Sequence, residues 1–178
     1  EECAVERNLL ENSINNYSKI YNTKIILAVC CNSITEMFMK VPVIDENIKY
    51  INIISSVCNY IKTHITNNKK FHLWSSEYTF TSKNYHNFLG QEYVIELNNN
   101  QEVITELITN IKANRTEHIP CDELFKDIED ESIVILGCTE LPLVKAKFEK
   151  YCLENKKNIT FIDCNLIYAE QIFNEYNN

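Results

Sequence analysis

Eight cysteines stand at positions 3, 30, 31, 58, 121, 138, 152 and 164, and two of them share a setting. Ile25-Ile-Leu-Ala-Val-Cys-Cys-Asn-Ser-Ile34 can be laid over Ser132-Ile-Val-Ile-Leu-Gly-Cys-Thr-Glu-Leu141. Each segment is an apolar run of strand length, then a cysteine, two polar residues and the start of a helical pattern. Cys31 and Cys138 fall on equivalent positions. A thiol placed there sits at the carboxyl end of a strand, where open parallel α/β sheets bind ligands. It also precedes a helix N-terminus, whose free N–H groups and positive dipole end favour a thiolate. Two lobes facing each other would then present two activatable thiols to one cleft. The sulfurs should then lie roughly 6–9 Å apart, about twice a near-attack distance plus slack. At least one should ionise below the free-thiol value of about 8.5. From the pattern alone, a packed structural thiol accounts for either cysteine equally well. For Cys3, Cys30, Cys58, Cys121, Cys152 and Cys164 the expected role is that of a buried small hydrophobe.

The rest of the composition narrows the choice of chemistry. The 178 residues are 45% hydrophobic and 24% charged, enough for a real core. Only Gly90 and Gly137 are glycines, so no Gly-rich phosphate loop can be written. Net charge is −8 and pI near 5.1, which supplies no basic field for nucleic acid. No apolar run approaches the roughly 20 residues of a membrane span. No signal-peptide pattern opens the chain, so reduced thiols and a cytoplasmic location are expected. There is no CxxC and no spaced Cys/His quartet, and no metal site is expected. The histidines at 64, 72, 86 and 118 are scattered, and nothing pairs one with a cysteine.

These cysteines must be positioned by alternating elements. Helical periodicity covers 5–22, 33–40, 55–66, 79–89, 101–113, 122–129, 141–155 and 166–176. Apolar runs at 24–30, 48–54, 71–74, 92–97, 132–137 and 160–163 read as strands, several buried on both faces. Val41-Pro42 closes the second helix, 67–70 is a polar boundary, and 98–100 is a turn. Strand–helix alternation defines an α/β protein with parallel sheets. Asparagine is expected to fill many left-handed turn positions that glycine usually takes.

Ile135-Leu-Gly-Cys-Thr-Glu-Leu-Pro-Leu143 closely resembles the second-cysteine signature of the aspartate/glutamate racemase family. Cys31-Asn32-Ser33 resembles the family's first-cysteine motif, Cys-Asn-Thr. Leu73-Trp-Ser-Ser-Glu-Tyr-Thr79 sits where the family has an Ala-Thr-x-Gly-Thr turn. Ile111-Lys-Ala113 matches Ile-Lys-Ala-Gly, and Phe161-Ile-Asp-Cys-Asn165 resembles the segment before the last helix. The likeness runs in order along nearly the whole chain.

The resemblance implies two pseudo-symmetric lobes, each a mostly parallel sheet flanked by helices, with the cleft between them. The first lobe would be 1–66 joined by the C-terminal helix 164–178, the second 67–163. It implies racemisation of aspartate or glutamate without pyridoxal phosphate or metal, Cys31 and Cys138 being the catalytic pair. Asn32, Ser33, Ser76, Thr79, Lys112 and Thr139 would bind substrate. For Asn32, Ser33, Ser76, Thr79 and Thr139 helix capping is the competing role, and for Lys112 a solvated helix end. A small amino-acid substrate and a homodimer are implied, with neither nucleic acid nor membrane as partner. Thr35 stands where the family has histidine, and Tyr78 where the middle turn has glycine. The family's opening strand and Gly-Gly-x-Gly-Pro turn have no counterpart from Glu1 onward. A non-catalytic homologue serving as a binding module, or a cysteine-pair isomerase of another carboxylate, are the alternatives.

Overall fold

The computed structural model describes residues 2–39, 47–96 and 100–177. The side chains of residues 2–8, 10–11 and 36–39 lie outside that description. So do the expected Val41-Pro42 helix stop and most of the turn at 98–100.

Two parallel sheets carry the chain. The first pairs β1 (Ile25–Ala28) with β2 (Ile48–Ile51), Ile25 opposite Ile48 and Ala28 opposite Ile51. The second has four strands in the order β4 (Ile95–Glu96), β3 (Phe71–Trp74), β5 (Ile133–Leu136), β6 (Thr160–Asp163). β3 and β5 are the central strands and are buried along their whole length. This explains their unbroken apolar sequence, which has a partner layer on each face. From β3 the chain moves outward to β4, then returns to place β5 and β6 on the other side. The direction of winding therefore reverses between β3 and β5, and a crevice opens at their carboxyl ends.

One face of the four-stranded sheet is covered by α3 (Ile53–His64), α5 (Asn84–Leu89) and α9 (Cys164–Tyr176). Ile53, Val57, Cys58 and Ile61 of α3 meet Phe71, Leu73 and Tyr85 there. Thus α3, grouped by sequence with residues 1–66, also packs on the second sheet. The other face is covered by α6 (Gln101–Lys112), α7 (Cys121–Leu124) and α8 (Lys145–Glu154). Trp74 centres this layer, with Phe125 and Phe148 edge-on at ring-centroid distances of 5.2 Å each. Such aromatic pairs add about 0.5–1.5 kcal/mol each beyond area burial. The Tyr168 hydroxyl of α9 donates to the Ile51 carbonyl at 2.7 Å, tying the end of β2 to this layer.

Local differences from the sequence reading have physical causes. Ile53 and Ile54 open α3 rather than extend β2, because Asn52 caps the helix, accepting from the Ser55 N–H at 3.0 Å. The helix expected at 79–89 is two, α4 (Glu77–Thr81) and α5, broken at Lys83 with φ of 56°. Pro142 lies in a 3₁₀ turn, Leu141–Val144, ahead of α8. The helix expected at 122–129 is only α7, and the strand expected at 92–97 is β4. The helices α1 (Glu2–Tyr21) and α2 (Asn32–Met39) occur as read. Asn22 and Asn114 take left-handed positions as expected, but so do Lys83, Glu131 and Lys156.

Gly137 links β5 to Cys138, and its N–H donates to the Trp74 carbonyl at 2.7 Å. A Cβ there would lie 2.6 Å from Leu73 Cδ1 and 3.4 Å from the Trp74 carbonyl oxygen. Leu73 is fully buried, so it has little room to retreat. Gly137→Ala should therefore lower the stability to urea denaturation by about 1–3 kcal/mol, the usual cost of overpacking. An unchanged midpoint would show that this close approach does not constrain the strand end.

Candidate active site

The strand ends bring several of the expected residues into contact. Cys31 follows β1, and its carbonyl accepts the Thr35 N–H at 3.0 Å, so it occupies the cap position of α2. Ser76 follows β3, Cys138 follows β5 and Cys164 follows β6. The turn after β1 closes on this edge. Ser33 Oγ lies 2.9 Å from Ser76 Oγ and 3.0 Å from Thr79 Oγ1, and Ser76 Oγ donates to Thr79 Oγ1 at 3.1 Å. Three hydroxyls from two sheets thus form one cluster. Ser76 also caps α4, accepting the Thr79 N–H at 3.3 Å, so capping and clustering coexist.

Asn32 is only 3% exposed. Its Oδ1 accepts from the Tyr85 hydroxyl at 2.8 Å, and its Nδ2 donates to Cys164 Sγ at 3.9 Å. Asn165 Nδ2 donates to the Thr139 carbonyl at 2.8 Å. Burial pushes the Tyr85 hydroxyl well above its ordinary pKa, and charge on Cys164, Cys58 or Cys138 would raise it further. Tyr85 is therefore a neutral donor sited among thiols.

Cys138 is half-buried, and its thiol donates to Glu140 Oε2 at 2.9 Å. Burial pushes this thiol up to about 12, and the Glu140 carboxylate acts in the same direction. The expectation of a lowered value at a helix start therefore fails for Cys138. A four-residue 3₁₀ turn, not an α-helix, follows it, and the nearest charge is negative. Burial alone would raise the Glu140 carboxyl as well. Donors from Cys138, its own backbone N–H and Thr139, together with the Lys112 charge, hold it below the usual range. Lys112 Nζ stands 3.5 Å from Glu140 Oε1, with its side chain 60% exposed, so it is both a solvated helix-end lysine and a neighbour of the site.

Sequence reasoning missed Tyr85, Glu140, Cys164 and Asn165 as members of this cluster. Asp163 was the available signal for the last two. It caps α9 by accepting the N–H groups of Asn165 and Leu166, which fixes Cys164 at the first helical position. Of the other thiols, Cys58 and Cys152 are buried as expected and Cys121 half-buried, but Cys30 is exposed. Cys30 and Cys31 end in an irregular segment after β1, where strand packing no longer holds them. Thr35 is buried away from solvent and Tyr78 is exposed on α4. Among the described residues no cluster of three His, Cys, Asp or Glu side chains could hold a metal. No described helix is long and apolar enough to cross a membrane.

No family model matches the sequence, and no relative is found among curated proteins. Solved structures do match. Glutamate racemase from Campylobacter jejuni subsp. jejuni superposes with a TM-score of 0.66 at 18% identity, over 98% of this chain and 69% of that one. Picrophilus torridus aspartate racemase superposes with a TM-score of 0.67 at 18% identity, over 92% and 68%. The chain has the two-lobed α/β fold of the aspartate and glutamate racemases.

Two outcomes check the electrostatics. Glu140→Gln removes the carboxylate charge that holds the Cys138 proton. Alkylation of Cys138 near pH 8, read by mass spectrometry, should speed up roughly threefold to tenfold, since one pKa unit changes the thiolate fraction about tenfold. An unchanged rate would show that burial alone sets this thiol. The second outcome concerns stability. Unfolded thiols ionise near 9.0, whereas Cys58, Cys138 and Cys164 hold their protons to about 12 and Cys121 to about 11. Above pH 9 the unfolded state has therefore lost protons that the folded state keeps, and stability falls as pH rises. Denaturation midpoints should drop progressively from about pH 9 toward 12, and less steeply in Cys58→Ala. A flat profile would contradict the burial of these thiols.

Proposed function

We propose that this protein racemises an acidic amino acid, aspartate or glutamate, without a cofactor, using Cys31 and Cys138 as bases on opposite faces of the α-carbon. The observation that supports the reading is the hydrogen-bonded path from Asn32, beside Cys31, through Cys164 and Asn165 to Thr139, beside Cys138. The fold, shared with a glutamate racemase and an aspartate racemase, supports it. We place the lobes at 1–66 with 164–178 and at 67–163, with the substrate between them.

In one direction the Cys31 thiolate takes the α-proton and becomes a thiol. The electron pair left on carbon is then protonated from the other face by the Cys138 thiol, which becomes a thiolate. The reverse direction exchanges the roles. Cys138, hydrogen-bonded to Glu140, rests with the proton this step requires. The carbanion needs stabilised carboxylate charge, and the donors available are the hydroxyls of Ser33, Ser76 and Thr79. Thr139 completes the lining, the buried Asn32 amide supports it from behind, and Lys112 faces the second carboxylate of the substrate. Thiol acid–base catalysis of this kind supplies about 10²–10⁴-fold of the rate.

A second reading is a binding module of the same fold. It is favoured by Asn32, whose amide is already bonded through both polar atoms inside the protein. Incubating one enantiomer of aspartate or glutamate in deuterated water separates the two. The racemase should give the other enantiomer carrying deuterium at the α-carbon. Cys31→Ser or Cys138→Ser should each lower inversion by about 10²-fold or more. Inversion without solvent deuterium would exclude the two-base pathway, and neither inversion nor exchange would leave the binding module.

A further inference from the structure

Four hydrogen bonds run head to tail from α5 to the turn after β5. The Tyr85 hydroxyl donates to Asn32 Oδ1 at 2.8 Å, and Asn32 Nδ2 donates to Cys164 Sγ at 3.9 Å. The Cys164 thiol donates to Asn165 Oδ1 at 3.5 Å, and Asn165 Nδ2 donates to the Thr139 carbonyl at 2.8 Å.

The direction of every link follows from its last member. A backbone carbonyl only accepts, so Asn165 must turn its Nδ2 toward Thr139. Its Oδ1 then faces Cys164 and only accepts, so the thiol proton points at it. The sulfur lone pairs are left for Asn32 Nδ2, and this turns Asn32 Oδ1 toward Tyr85, which must donate. Tyr85, Asn32 and Cys164 are all buried, so water does not substitute for either bond of the Asn32 amide. Burial also pushes the Cys164 thiol up to about 12, which keeps its proton in place. Bonds to sulfur are individually weak, but a broken link leaves a buried amide unsatisfied.

Asn32 follows Cys31 in sequence and Thr139 follows Cys138. We propose that Cys164 and Asn165 are positioning residues that fix the separation and orientation of the Cys31 and Cys138 turns by holding the Asn32 amide to the Thr139 carbonyl. Neither residue touches the reacting carbon. The assignment rests on the racemase reading above for its effect on rate, and on hydrogen bonding alone for its effect on the turns.

The test uses Cys164→Ala, which cuts the chain at its centre, and Cys164→Ser, which keeps a donor and an acceptor. Both are first compared by thermal melting. In the deuterium assay Cys164→Ala should lower kcat about tenfold while KM stays within about twofold, because geometry between the bases is lost and substrate binding is not. Cys164→Ser should recover most of the loss. The second readout is independent of activity. The side-chain amide resonances of Asn32 and Asn165 should both shift and exchange faster in Cys164→Ala, and stay near wild type in Cys164→Ser. Tyr85→Phe, which removes one hydroxyl, should disturb the Asn165 amide as well, and it serves if the alanine variant does not fold. Unmoved amides, equal kcat in wild type and Cys164→Ala, or serine as slow as alanine would overturn the assignment. If wild type itself neither inverts nor exchanges, the racemase reading falls, and the amide resonances alone decide whether these residues tie the turns together.

Discussion

Asn32 lies between the two sheets, bonded on one side to a helix that covers the four-stranded sheet and on the other to the thiol that starts α9. A buried side-chain amide left unpaired costs about 1–3 kcal/mol, so the turn after β1 is held against the carboxyl ends of β3, β5 and β6. The serine and threonine hydroxyls then fall within hydrogen-bond reach of one another. Without this docking, Ser33 would cap or solvate α2 alone, and Cys31 would have no fixed relation to Cys138. The fold makes the docking possible, because the crevice between β3 and β5 is where the winding direction changes.

The electrostatics of the cluster are opposed rather than cooperative. Glu140 holds the Cys138 proton, whereas Lys112, farther out and more exposed, holds Glu140 ionised. Burial, with the Glu140 carboxylate acting in the same direction and Lys112 against it, therefore keeps Cys138 a thiol at neutral pH. A cysteine ahead of a full α-helix, with no carboxylate two residues on, would be biased the other way.

The alternation of strands and helices was legible because buried parallel strands read as continuous apolar runs. That Cys31 and Cys138 each follow a strand was legible because each comes after such a run. The hydroxyl trio came from matching short motifs. Tyr85 was not legible, since an aromatic at helical spacing reads as core, and it is core apart from one oxygen. Cys164 and Asn165 were hidden because nothing local marks a thiol as the partner of an amide 132 residues away in sequence. The break at Lys83 carried no glycine to announce it, and the raised Cys138 pKa depends on burial, which no motif records.

The central claim is that the two thiols face one another across one site. A short bifunctional maleimide applied to the Cys30→Ala variant, which removes the exposed neighbouring thiol, tests it by peptide mapping. The account predicts an intramolecular bridge between Cys31 and Cys138 as the main cross-link, suppressed by prior binding of a dicarboxylate amino acid. Separate single labelling of the two cysteines, with no bridge between them, would contradict it.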